Sequence, residues 1–179
     1  ASEDAASAWL EHLEDVLLSL VHIASVDAFQ TWIYTSGQGG DAAARDAEWL
    51  RLRNRFERGV DWSGLDQERA ARWYRQLHIF LYPFYYIEYG IAQIGALQVW
   101  RNSLDDPHQA VARYRDALAL GAVRSLPEIY RTAGARLTFD ADDIGPLVDL
   151  VESEISRVRA RLPSGEGVQS PGRRAASRS

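Results

Sequence analysis

The chain has 179 residues, 46% hydrophobic and 25% charged, a size at which a single core can bury roughly 70% of the unfolded surface. Its formal net charge is −5, and because Arg173, Arg174 and Arg178 stand in the tail, the chain before them carries 17 arginines against 25 acids, a net of −8, which argues against nucleic acid as a partner. There is no cysteine for a disulfide framework or a thiolate metal site, nothing at the start reads as a signal peptide, and no apolar run approaches the roughly 18 residues of a membrane span, so a soluble, cytoplasmic protein without a membrane partner is expected.

The chain contains no methionine, even at position 1, and is therefore expected to be a piece of a longer polypeptide. All 20 basic residues are arginine, which fits a high-GC coding bias and carries no mechanism.

From about Asp4 to Tyr34, Trp9, Leu13, Val16, Leu17, Leu20 and Ala24 recur at three and four residues, which predicts an amphipathic helix with one face on a core. Asp27 continues the line of Leu13 and Leu20. A carboxylate there is costly unless paired, so it reads as a buried anchor or as the edge of a polar cleft. Ser36 to Gly40 is a loop, and Asp41 is placed to cap a second helix carrying Trp49, Leu52 and Phe56. Asp61-Trp62-Ser63-Gly64 reads as a turn, and Asp66, Gln67 and Glu68 open a third helix at the end where acidic residues are favoured.

That third helix is expected to carry Trp73 and Leu77 into the stretch His78 to Trp100, HIFLYPFYYIEYGIAQIGALQVW, as one long rod kinked at Pro83. Wound at 100° per residue, the stretch puts Phe80, Phe84, Ile87, Ile91 and Ile94 on a core face. His78, Tyr82, Tyr85, Tyr86, Tyr89 and Gln93 fall on the opposite face. A phenol stripe of this kind either packs helices together or lines a wet cleft. Small residues Gly90, Ala92, Gly95 and Ala96 would admit a neighbouring helix closely.

Beyond Trp100, Asp106-Pro107 gives a cap followed by proline at the first helical position, and Gly121 stops the helix. Ser125-Leu126-Pro127-Glu128 starts a short helix ending near Gly134, and Asp140 starts a last one with the stripe Ile144, Leu147, Val148, Val151, Ile155 and Val158. The fold class is all-α. Residues 1–162 are expected to be helical, and 163–179 a disordered tail with little to bury.

The chemistry is incomplete as it stands. Of the four histidines, His12 lies on a solvated face, His22 is isolated and His108 follows a cap. No HExxH, phosphate loop or nucleophile elbow occurs. His78 differs by its company, since an imidazole beside several phenols can bind an anion or a polarised carbonyl oxygen.

The segments EHLEDVLLSLVHIASVDAFQTWIYT, GVDWSGL, RQLHIFLYPFYYIEYGIAQ and WRNSL, from about Glu11 to Asp140, resemble in that order the C-terminal part of oligoendopeptidase F-like enzymes, members of the thimet-oligopeptidase-like zinc metallopeptidases. The resemblance implies a multi-helix C-terminal portion of a metallopeptidase catalytic domain that cuts short peptides. Its zinc ligands and catalytic glutamate would lie upstream, outside this chain, and the N-terminal remainder of the catalytic domain would be its partner. It further implies Tyr89 and His78 as catalytic residues, with Tyr89 donating to the oxyanion, and Tyr86 with His78 holding the substrate backbone or its terminal carboxylate. Tyr85 is the second substrate-binding candidate, because the alignment around Phe84-Tyr85-Tyr86 can slip by one. Glu88 falls off the stripe and reads as a structural ion pair or acceptor. By itself the segment is expected to be inactive and to bind no zinc. The alternative is a catalytically inactive, truncated helical protein acting as a binding module.

Overall fold

The computed structural model describes residues 2–57 and 59–163. These form α1 (Glu3–Thr35), α2 (Ala42–Phe56), α3 (Asp66–Ala70), a 3-10 turn (Ala71–Arg75), α4 (Leu77–Leu81), α5 (Ile87–Asp105), α6 (Pro107–Ala119), α7 (Leu126–Thr132) and α8 (Ala141–Arg159), with no strand among the described residues. The all-α expectation holds. From residue 164 onward, the segment read as a disordered tail lies outside the described residues.

α1 is the spine. It packs against α2, α5 and α8, and its two halves feed two separate cores. Leu13 and Val16 join Ile94 and Leu97 of α5 and Leu147, Val151 and Ile155 of α8. Val26 and Phe29 join Trp49 and Leu52 of α2, Trp73 and Ile79. Phe29 is fully buried, with its ring centroid 5.3 Å from that of Trp49 and 5.4 Å from that of Trp73; burying one such side chain contributes about 1.5–3 kcal/mol. α1 also holds an 18-residue window of mean hydropathy 1.4, apolar and long enough by composition to cross a membrane, where the residue-by-residue reading found no such run. Its contacts with three helices bury a third of that window.

Local signals set the ends of the helices. The Asp41 carboxylate accepts from the Ala43 and Ala44 amides at 2.8 and 3.2 Å, and Asp106 accepts from Gln109 N–H at 2.9 Å ahead of Pro107. Ser125 and Glu128 form a capping box. Gly121 and Gly134 take positive φ, 55° and 76°, just past α6 and α7.

The expected kinked rod is not there. Between α4 and α5 the chain leaves the helix at Tyr82, turns through Pro83 and Phe84, and re-enters at Ile87. Pro83 occupies the second position of a turn closed by Tyr85 N–H donating to Tyr82 O at 3.2 Å, and Phe84 the third position with φ 61°. That is the type II pattern, whose third position normally takes glycine. A helix cannot pass through a residue with positive φ, so the rod breaks instead of bending. As a result Phe80 and Phe84, read as core, are exposed.

Two of the four small residues of α5, Gly90 and Gly95, have close neighbours within this chain. A Cβ on Gly90 would meet Ile23 Cγ2 of α1 at 3.2 Å, and one on Gly95 would meet the Tyr130 ring of α7 at 2.8 Å. Tyr130 lies across Gly95 and donates its hydroxyl to Ile91 O at 2.8 Å. Ala92 and Ala96 are exposed.

Candidate functional site

The break at Pro83 gathers what a continuous helix would have spread out. His78 sits on α4, Tyr82 and Tyr85 on the turn, Tyr86 at the entry to α5 and Tyr89 in its first turn. The His78 ring ends up among four phenols, with centroids 6.1 Å from Tyr82, 6.2 Å from Tyr85, 5.0 Å from Tyr86 and 5.7 Å from Tyr89. Tyr85 stacks on it with planes 6° apart. The Tyr89 hydroxyl lies 3.3 Å from His78 Nε2. Gln30, buried in α1, donates to the His78 carbonyl at 3.5 Å and ties α4 to the spine.

An open groove of about 710 Å³ runs beside this cluster, walled by Asp15, Ser19, His22 and Ile23 of α1 on one side and by His78, Tyr86, Tyr89 and Gln93 on the other. Of the four residues singled out from the sequence, His78, Tyr86 and Tyr89 line the groove, while Tyr85 packs on the imidazole and faces solvent. Tyr86 is half-buried against the second core. Burial pushes its phenol above the usual tyrosine value, with Gln76 pulling the other way, so it stays protonated.

His22 is the residue that sequence reading missed. Far from isolated, it is half-buried, lines the groove, and puts its ring 5.8 Å from that of Tyr86. Its Nε2 is 3.3 Å from Gln76 Oε1 and its Nδ1 is 3.4 Å from Arg53 Nη1. Burial lowers its pKa, the Gln76 hydrogen bond opposes, and Arg53 and Arg72 lower it further. Asp15, Ser19 and His22 share a helix face by spacing, but no sequence signal joins that face to Gln76, 54 residues away.

Arg53 is nearly buried and held by Glu57, which it meets at 2.6 Å and which Arg69 and Arg72 also approach, at 3.4 and 3.5 Å. Although burial pushes the Glu57 carboxyl up, the three arginines outweigh it and hold its pKa below the usual carboxylate value. Asp27 proves to be neither anchor nor cleft wall. It is half-buried without a hydrogen bond or ion pair among the described residues, and burial alone raises its pKa. Glu88 is exposed, with no ion pair among the described residues.

No three His, Cys, Asp or Glu side chains cluster closely enough to hold a metal ion among the described residues. The donor set present therefore does not fit a catalytic zinc. What the groove offers is hydrogen-bond donors, two of them phenols, for an electron-rich oxygen.

A family model described as peptidase family M3 matches residues 2–145. None of the curated proteins matches. A solved structure titled PZ peptidase A with inhibitor 2 superposes with a TM-score of 0.79 at 31% identity, covering 87% of this chain and 28% of that one. The chain thus spans just over a quarter of the length of that structure.

Proposed function

Because the chain belongs to peptidase family M3, we propose that it is the C-terminal helical part of a zinc oligoendopeptidase catalytic domain, forming one wall of a channel for short peptides in the cytoplasm. The zinc and its ligands belong, in this reading, to the rest of the polypeptide. This chain's share of the work falls to Tyr89, His78 and Tyr86.

As a peptide carbonyl turns tetrahedral its oxygen gains charge, and a donor fixed in advance at that position stabilises the transition state more than the ground state. Tyr89 is that donor, and His78 fixes it. Tyr86, kept protonated by its burial, hydrogen-bonds the substrate backbone or its terminal carboxylate, and Tyr85 braces the imidazole through their parallel stack. The observation that carries the reading is the 3.3 Å contact of the Tyr89 hydroxyl with His78 Nε2 at the wall of an open groove.

Exposed Leu77, Phe80, Leu81 and Phe84 cluster in sequence around α4. An apolar surface like this beside a site is the kind of face that another part of a domain covers, here the N-terminal remainder. The test is hydrolysis of a quenched fluorescent short peptide by the full-length polypeptide that carries this segment. Cleavage that stops on zinc chelation and returns with zinc is expected. A native gene product that holds no zinc and cleaves nothing overturns the proposal in favour of a helical binding module.

A further inference from the structure

A phenol can serve an oxyanion only with its own proton turned toward it. An unprotonated His78 Nε2, 3.3 Å from the Tyr89 oxygen, would accept that proton itself, so the hydroxyl is free to donate into the groove only if Nε2 carries the hydrogen. Neutral imidazole carries one hydrogen on either nitrogen, and the partner of the other nitrogen decides which.

A row of side chains reaches from the core to that nitrogen. Arg53 Nη1 stands 3.4 Å from His22 Nδ1, His22 Nε2 3.3 Å from Gln76 Oε1, Gln76 Nε2 3.2 Å from His78 Nδ1, and His78 Nε2 3.3 Å from the Tyr89 oxygen. A guanidinium can only donate, which makes His22 Nδ1 an acceptor and puts the His22 hydrogen on Nε2. That hydrogen requires the amide oxygen of Gln76 to face His22, so the Gln76 amide nitrogen faces His78 and donates to Nδ1. The His78 hydrogen is then on Nε2 and is donated to Tyr89. Every bond runs the same way, and the direction is set at the one member that cannot reverse, Arg53, itself locked by Glu57 at 2.6 Å.

We propose that Arg53, His22 and Gln76 are positioning residues that hold His78 in its Nε2–H form and thereby turn the Tyr89 hydroxyl proton into the groove. The functional half of this rests on the reading of Tyr89 as the oxyanion donor; the tautomer of His78 does not. None of the three positioning residues needs to touch substrate. The depressed pKa of His22 agrees with a neutral ring able to accept from Arg53.

The direct test is the nitrogen-15 spectrum of labelled histidine side chains in the full-length polypeptide near neutral pH, with His78→Gln and His22→Gln to assign the signals. Nε2–H is expected for both rings. Nδ1–H on His78 would overturn the relay whatever Tyr89 does. The functional test is Gln76→Glu, isosteric but unable to donate, which forces a hydrogen onto His78 Nδ1. A fall in kcat of about tenfold is expected, a fraction of that for loss of an oxyanion donor, with KM within a few-fold. If Tyr89→Phe lowers kcat and Gln76→Glu, with His78 shown by its nitrogen-15 spectrum to be neutral in that variant, does not, the relay is overturned and the oxyanion reading stands. If Tyr89→Phe changes nothing while the spectra show both Nε2–H forms, the oxyanion reading fails and the functional half of the relay goes with it.

Discussion

The hydroxyl of Tyr89 lies 3.3 Å from Nε2 of His78, although eleven residues separate them. Along a continuous helix, at 1.5 Å per residue, they would stand about 16 Å apart. The contact exists because the chain turns at Pro83 and Phe84 instead of continuing as a helix. The site is a product of that break.

Phe84 should therefore respond to substitution as a residue with positive φ, not as a helical or core one. Valine, branched at Cβ, fits that region poorly, whereas asparagine tolerates it. Phe84→Val is expected to lower the melting temperature more than Phe84→Asn, by an amount corresponding to about 1–2 kcal/mol, even though valine is the more apolar. Both lose the contact with the Tyr34 ring, whose centroid is 5.1 Å away, so that loss cancels in the comparison. Equal melting temperatures, or a more stable valine variant, would count against the turn.

Gly95 is expected to be intolerant of even one methyl group. Gly95→Ala drives a Cβ to 2.8 Å from the Tyr130 ring, an overpacking that typically costs 1–3 kcal/mol. Gly90→Ala, whose Cβ would meet the Ile23 Cγ2 methyl at 3.2 Å and Ile87 Cδ1 at 3.9 Å, should cost less. Chemical denaturation of each, and of Gly95→Ala combined with Tyr130→Leu, checks the cause. The double variant should recover much of the loss, since residues in contact couple.

Acid should destabilise the protein partly through His22. Its pKa in the folded state is below the ordinary histidine value of 6.5, chiefly through burial. As pH falls through 6.5 the unfolded chain takes up a proton that the folded one refuses, and stability drops until the folded-state pKa is reached. Above 6.5 this residue contributes no pH dependence. Unfolding free energy measured between about pH 7.5 and pH 5.5 should fall less steeply in His22→Gln than in the unsubstituted protein. Identical slopes would place the titration elsewhere.

What was legible in the sequence was what local chemistry decides. The caps at Asp41, Asp106 and Ser125 act within a few residues, and the apolar stripe of α8 is periodic, so each declares itself. The break after Tyr82 was marked only by Pro83, which a helix can survive as a kink, and the spacing of Tyr82, Tyr86 and Tyr89 suits a helix face. Nothing in the composition of Phe84 announces a positive φ. The candidate site was half visible, since the resemblance pointed to His78, Tyr86 and Tyr89. His22, Arg53 and Gln76 meet only after α1, α2 and α4 have packed, and no periodicity reports a contact between separate helices.

The most direct test of the central claim is the steady-state kinetics of Tyr89→Phe in the full-length polypeptide. Removing one oxyanion donor typically costs about 10²–10³ in kcat. The account predicts a fall of that size, with KM within a few-fold and the zinc content unchanged. An unaltered kcat would contradict it, and would mean that the phenols around His78 serve to pack the turn.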